Sequence, residues 1–282
     1  MTSKALKKKS LKAVNTTFCW FLALIWFLPF LGLVMASVRP GDELINGWWM
    51  LDNFSFSMKN YTDVLFTASI PLARPMLNSL IIALLGSVLP IFFGFSGGYA
   101  FARHYIPWKK TIMVILLSIM AIPLQMISVP IFKMMNAMHL LDTIWSLTIL
   151  NTATAIPWII FFIMNFILAQ PLEVEEAAKI DGCSTFQILR NIVLPQTWPA
   201  FISVFVLQFV WCWVDFFLPL LFLYSPEKYT AVQVIPMLRG QFVTDWGRLS
   251  AASVLVTSVP LGVFLLLQKY YIASSVGWVP DK

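Results

Sequence analysis

Long apolar runs alternate with short polar segments along almost the whole chain. A membrane-spanning helix needs roughly 20 mostly apolar residues, and six of these runs are long enough. The runs predict helices over residues 16–38, 77–102, 111–132, 143–169, 200–224 and 247–270. The pattern therefore predicts an all-α, polytopic membrane protein with six transmembrane helices, in which residues 16–270 form a single transmembrane domain.

The composition agrees with this pattern. Hydrophobic residues make up 59% of the 282 residues and charged residues 11%, whereas charged residues are roughly a quarter of a soluble domain. The first apolar run is also compatible with a secretory signal peptide, because basic residues precede it. The run from Phe18 to Ser37 is longer than the roughly 7–15 apolar residues of such a peptide, so we interpret it as an uncleaved helix.

Positive charge is distributed unevenly between the polar segments. A cluster of lysines immediately precedes the first apolar run: Lys4, Lys7, Lys8, Lys9 and Lys12. Because basic residues are retained on the cytoplasmic side, we expect the N-terminal segment 1–15 to be cytoplasmic. With six spans, the C-terminal tail 271–282 is also cytoplasmic. The long polar segment 39–76 is then external.

The polar segment between the fourth and fifth runs, residues 170–199, contains signals for a short helix. Pro171 suits a helix start because its missing N–H falls among the unpaired donors of a first turn. Glu173 and Glu175 add negative charge near the positive end of the helix dipole. Gly182 is expected to end the helix, because glycine readily adopts the left-handed conformation of a helix C-terminus.

A second short helix is predicted after this bend. Ser184 and Gln187 have the spacing of a capping box, and Pro195 is expected to end the helix. The apolar residues that share one predicted face are Phe186, Leu189 and Val193. The segment is therefore predicted to be two short helices joined at a glycine, with an apolar face available for docking.

The order of residues around the bend resembles a known signature. It comprises Glu176, Ala177, Ala178, then Asp181 and Gly182, and later Leu194 and Pro195. This pattern is similar to the cytoplasmic loop of the permease subunits of bacterial ABC importers, in which the loop is a coupling helix that fits a groove on the ATP-hydrolysing subunit. Cys183 stands where that family usually has alanine, and it is also small and apolar.

Looser similarities point to the carbohydrate-uptake branch of this family, which includes maltose-permease-like proteins. They lie at residues 78–80, 99–103, 122–123, 140–143 and 213–216. The resemblance covers about residues 16–270 and implies the type I ABC importer permease fold and a location in the cytoplasmic (inner) membrane of a bacterium. It also implies a second homologous permease subunit, two ATPase subunits and an extracellular or periplasmic solute-binding protein as partners.

The resemblance implies ATP-driven import of a sugar or oligosaccharide by alternating access, with ATP and Mg²⁺ bound by the partner ATPase. The sequence contains no Walker-type phosphate loop, so we predict that the chain itself is not an enzyme and carries no cofactor or catalytic residue. Its two histidines lie at predicted opposite ends of the membrane, so no metal site is predicted. A permease for a non-sugar solute such as glycerol phosphate, or a secondary carrier, remains an alternative.

Two groups of candidate site residues follow. The resemblance implies an ATPase-coupling role for Glu176, Ala177, Ala178, Asp181, Gly182, Phe186 and Leu189. The candidates for the substrate path are Trp211, Trp213 and Asp215. Asp215 is an acid within a predicted span, where charge is costly unless it faces protein or water, and aromatic faces can stack on sugar rings. An internal hydrogen bond and ordinary packing are the alternatives for these three residues.

Overall fold

The computed structural model describes residues 3–45, 47–50, 54–240 and 244–275 of the chain. These residues contain helices and irregular segments but no β-strand, which confirms the all-α prediction. The α-helices are α1 Ser3–Ser37, α2 Lys59–Thr62, α3 Ala73–Arg103, α4 Lys109–Ile119, α5 Ser128–Ala137, α6 Ile144–Leu168, α7 Leu172–Ile180, α8 Thr185–Ile188, α9 Leu194–Val214, α10 Phe217–Phe222, α11 Ala231–Val234 and α12 Trp246–Ser275.

Within the described residues, five helical runs are long and apolar enough to cross a membrane. They are Val14–Ser37, Ala73–Arg103, Ile144–Leu168, Thr185–Val214 and Trp246–Lys269. A bent helix pair makes a sixth span if its two halves are counted together. The predicted first, second, fourth and sixth helices are each present, with ends that differ by a few residues. The segment predicted to be external is shorter than expected, because α3 already begins at Ala73.

The third predicted span, 111–132, is not one continuous helix. α4 ends at Ile119 and the helical path resumes at Leu124, with the two halves bent by 85°. Pro123 lies at the break in an extended conformation, with φ −60° and ψ 128°. Proline lacks an N–H and disfavours helical geometry in the residue before it, so the chain turns here.

The fifth predicted span, 200–224, is also corrected. A helical run begins earlier, at Thr185, and passes through the π-helical turn Leu189–Val193 into α9. Pro195 therefore lies in the first turn of α9 and does not end a helix, since proline is tolerated in a first turn. At the other end, α9 stops at Val214 and Asp215 is extended, with φ −63° and ψ 124°.

The chain forms two compact units. The first comprises Met1–Leu72 and Ile235–Thr257, and the second comprises Ala73–Val234 and Ser258–Lys282. In the first unit, the buried Arg39 pairs with Glu43 at 3.1 Å and donates to the backbone oxygen of Met50 at 2.7 Å. Asn60 donates to the backbone oxygens of Ser37 and Arg39. These bonds fix the polar turn that follows α1.

The second unit is built on close packing between α3 and α6. A Cβ atom on Gly94 would lie 2.3 Å from Cγ2 of Ile159, and one on Gly98 would lie 2.9 Å from Cγ2 of Ile163. Small residues at such positions allow helix backbones to approach closely. The glycines of α3 therefore determine how near it lies to α6.

α9 joins this pair through a buried amide. Nε2 of Gln208 donates to the backbone oxygens of Gly86 on α3, at 3.3 Å, and Asn151 on α6, at 3.4 Å. A buried polar group is costly unless it is hydrogen-bonded, so these bonds favour one arrangement of the three helices. α3, α6 and α9 form the framework that carries the candidate site.

The end of this framework near the start of α6 is fixed by Asp142. Its Oδ1 accepts hydrogen bonds from the backbone N–H groups of Tyr224 and Ser225, each at 3.1 Å, and its Oδ2 pairs with Nζ of Lys228 at 3.3 Å. Burial alone would raise the pKa of Asp142, but the bonds from Ser225, Tyr224 and Lys228 outweigh it and lower the pKa to about 2. The carboxylate therefore stays charged and holds the segment after α10 in place.

Candidate functional site

The candidate loop lies at the other end of the framework, between α6 and α9. α7 starts after Pro171 and has acidic residues in its first turn and Lys179 in its last, an order that complements the helix dipole. Gly182 follows with φ +84°. Its N–H bonds to the oxygen of Lys179 at 3.1 Å, and the N–H of Cys183 bonds to the oxygen of Ala178 at 3.0 Å.

These two bonds form a Schellman motif, in which a left-handed residue closes the end of a helix. The prediction that Gly182 ends the first loop helix is therefore confirmed. The second helix start is confirmed as well, because Ser184 and Gln187 form both bonds of a capping box. The backbone N–H of Ser184 donates to Oε1 of Gln187 at 2.7 Å. The end of α7 and the start of α8 are thus where local backbone chemistry predicts them.

The inner side of α7 is anchored by a buried carboxylate. Glu175 is 2% exposed, and its Oε1 lies 2.7 Å from Nε of Arg103, the last residue of α3. Its Oε2 accepts a hydrogen bond from the hydroxyl of Tyr99 at 3.3 Å. Arg103 also donates through Nη2 to the backbone oxygen of Gln170 at 3.2 Å. The sequence position of Glu175 predicts only a charge near the helix start, and it does not predict this link.

The outer side of the loop is exposed. Of the candidate coupling residues, Glu176, Ala177, Asp181 and Gly182 are exposed, and Phe186 is 69% exposed. Ile180, which was not a candidate, is 86% exposed. We call the set Glu176, Ala177, Ile180, Asp181, Gly182 and Phe186 the loop surface.

Other predicted loop residues point into the protein. Ala178 and Val193 are buried in the core that α7 and α9 share with α3 and α6, and Leu189 packs half-buried against it. The prediction that Phe186, Leu189 and Val193 form one docking face is therefore wrong. A π-helical turn covers Leu189–Val193, and it has more residues per turn than an α-helix, so the spacing of an α-helical face does not persist through it.

The three candidates for the substrate path are not gathered into one site. Trp211 is 67% exposed, whereas Trp213 is 2% exposed and its ring stacks on Phe209, with centroids 5.9 Å apart. Asp215 lies beyond the end of α9, and its Oδ1 accepts hydrogen bonds from the backbone N–H groups of Phe217, at 3.0 Å, and Leu218. Because α9 ends at Val214, Trp211 and Asp215 do not share a helical face. Asp215 caps the start of α10, and Trp213 packs in the core.

The described residues form an all-α structure with several apolar helices long enough to cross a membrane. A model of the family described as "Binding-protein-dependent transport system inner membrane component" matches residues 94–277. This match covers more than half of the chain. The chain belongs to this family of ABC importer permeases.

Relatives of nearly the same length support the family assignment. A probable ABC transporter permease protein of Pyrococcus horikoshii is 45% identical over 269 residues, which is 95% of this chain and 98% of the relative. The osmoprotective compounds uptake permease protein GgtD of Synechocystis is 33% identical over 89% of this chain and 86% of its own length. The arabinooligosaccharides transport system permease protein AraQ of Bacillus subtilis is 30% identical, over 94% of both chains.

A solved structure has the same fold. One chain of a bacterial ABC transporter involved in the import of the acidic polysaccharide alginate superposes with a TM-score of 0.81. The match covers 96% of this chain and 99% of that chain, at 20% sequence identity. The chain therefore has the fold of a type I ABC importer permease.

Proposed function

We propose that the chain is one of two permease subunits of an ATP-driven importer that moves a neutral sugar or oligosaccharide across the cytoplasmic membrane by alternating access. The observation that carries this proposal is the loop between α6 and α9, which has an exposed outer side and an inner side fixed to the helical framework. A loop of this form can receive force from a partner and pass it to the spans.

The partner at the loop surface is an ATPase subunit. Ile180 and Phe186 are large apolar side chains that lie 86% and 69% exposed on either side of the Gly182 bend, and contact with a groove on a partner would bury them. ATP and Mg²⁺ bind to that partner, since the sequence of this chain has no Walker-type phosphate loop. The loop end therefore faces the cytoplasm, and a solute-binding protein delivers the solute at the other end.

The charge of the helical framework favours a neutral solute. The sequences of α6 and α9 contain no Asp, Glu, Lys or Arg, and in α3 the charged residues are Arg74 and Arg103, near its two ends. A path beside these helices would offer hydroxyl and amide groups, which suit sugar hydroxyls. Between their ends, these three helices offer no cation for glycerol phosphate. The name of the Bacillus subtilis relative supports an oligosaccharide, whereas that of the Synechocystis relative supports an osmoprotective compound as the second candidate.

A transport assay with the complete importer in proteoliposomes tests this proposal. We expect ATP-dependent uptake of a neutral sugar or oligosaccharide, and a several-fold rise in ATP hydrolysis when the loaded solute-binding protein is added. Uptake that follows an ion gradient without ATP would indicate a secondary carrier and contradict the proposal. Stimulation by glycerol phosphate, or by an osmoprotectant that is not a sugar, would overturn the proposed solute class while leaving the importer intact.

A further inference from the structure

We propose that Arg103 is a positioning residue for transport, which acts through Glu175 so that α3 moves together with the α7 loop. This inference rests on the proposed function, because it concerns how force on the loop reaches the spans. It assigns a role to a buried ion pair that is not part of the loop surface.

The geometry links three elements at one guanidinium group. Arg103 ends α3, its Nε pairs with Glu175 of α7 at 2.7 Å, and its Nη2 bonds to the backbone oxygen of Gln170 at 3.2 Å. Gln170 lies in the short connection from α6 to α7. The side chains of Arg103 and Glu175 are only 9% and 3% exposed. The pair is therefore shielded from water and fixed by several bonds.

The link gives α3 a connection to the loop that the backbone does not provide. α7 is joined covalently to α6 through Gln170 and, through the Gly182 bend and α8, to α9. α3 is separate in sequence from the loop, since Arg103 and Glu175 are 72 positions apart. Removing either charge leaves the other buried and unpaired, which is strongly unfavourable. The ion pair therefore resists separation of α7 from α3 when the loop is displaced.

The packing within the framework extends this link. Gly94 and Gly98 hold α3 close to α6, and Gln208 bonds α9 to both. Packed helices change between discrete arrangements rather than deforming continuously. A displacement of α7 is thus expected to carry α3, α6 and α9 as one body, and loss of the ion pair lets α7 shift relative to that body.

Uptake per ATP hydrolysed, measured in proteoliposomes that contain the complete importer, tests the inference. The variants are Arg103→Gln, Glu175→Gln, the charge exchange Arg103→Glu with Glu175→Arg, and Arg103→Lys. Glu173→Gln is the matched control, because Glu173 is an exposed acid on the same helix. We expect both single glutamine variants to assemble and hydrolyse ATP while solute uptake per ATP falls several-fold. The exchange should recover part of the loss, Arg103→Lys should be intermediate, and the control should match the wild type.

A purely structural role predicts a different result. Uptake and hydrolysis would then fall in proportion to the amount of assembled importer, and uptake per ATP would stay constant. That result, or unchanged uptake per ATP in the single variants, would overturn the inference. If the glutamine variants fail to assemble while Arg103→Lys couples fully, the pair serves folding alone and the inference is also wrong. Absence of ATP-dependent uptake in the wild type would instead count against the proposed function.

Discussion

Replacing Gly182 with valine is expected to leave the importer assembled in the membrane but largely unable to transport. Gly182 has φ +84°, and a Cβ atom there would meet nothing within 4 Å. The expected effect therefore comes from the backbone and not from a clash. A left-handed conformation costs other residues about 1–2 kcal/mol, which lowers the population of the bent loop roughly 5- to 30-fold.

The consequence for transport follows from the Schellman motif. If the bend opens, α7 and α8 lose their mutual orientation, and the loop surface no longer presents Ile180 and Phe186 together. Solute uptake and the rise in ATP hydrolysis caused by the loaded binding protein should both fall. The control is Gly262→Val, because Gly262 also has nothing within 4 Å of a Cβ atom but lies in the regular helix α12. Wild-type uptake by the Gly182→Val variant would mean that transport does not require the bend.

Replacing Gly94 with valine is expected to destabilise the importer strongly, because the added side chain does not fit between α3 and α6. A Cβ atom on Gly94 would lie 2.3 Å from Cγ2 and 3.1 Å from Cβ of Ile159, so α3 and α6 must separate. Overpacking of a core costs about 1–3 kcal/mol and sometimes more. We expect a lower unfolding temperature of the purified importer and less of it in the membrane.

The double variant Gly94→Val with Ile159→Ala is the rescue experiment. It removes the Cγ2 atom that Gly94→Val would strike, and the unfolding temperature should recover part of the loss even though Ile159→Ala alone is destabilising. An unfolding temperature unchanged by Gly94→Val would mean that the glycine does not set the distance between α3 and α6. No rescue would mean that Ile159 is not the residue in conflict.

Features that depend on neighbouring residues were predictable from the sequence. The lengths of the apolar runs give most of the spans, because crossing a membrane sets a minimum length. The Gly182 bend and the Ser184 capping box follow from the backbone preferences of single residues. The break at Asp215 was missed because its apolar flanks obscure a carboxylate that caps a new helix.

Features that depend on tertiary packing were not predictable in the same way. The spacing of Phe186, Leu189 and Val193 fits one face only if the helix stays regular, and the π-helical turn is not encoded by that spacing. The link between Arg103 and Glu175 depends on where α3 ends relative to α7. The one local indication was that Glu175 and Ala178, which are three positions apart, share a helix face, and both are buried.

The most direct test of the central claim is whether the loop surface touches an ATPase subunit in the assembled importer. Cys183 is exposed and directly follows Gly182, so it can carry a photoactivatable cross-linker once Cys19 and Cys212 are replaced with alanine. We expect illumination of membrane vesicles that contain the complete importer to join this chain to the ATPase subunit. The product should disappear when Cys183 is also replaced. Cross-links to lipid alone, or no product with the ATPase subunit, would contradict the claim that this loop couples ATP hydrolysis to transport.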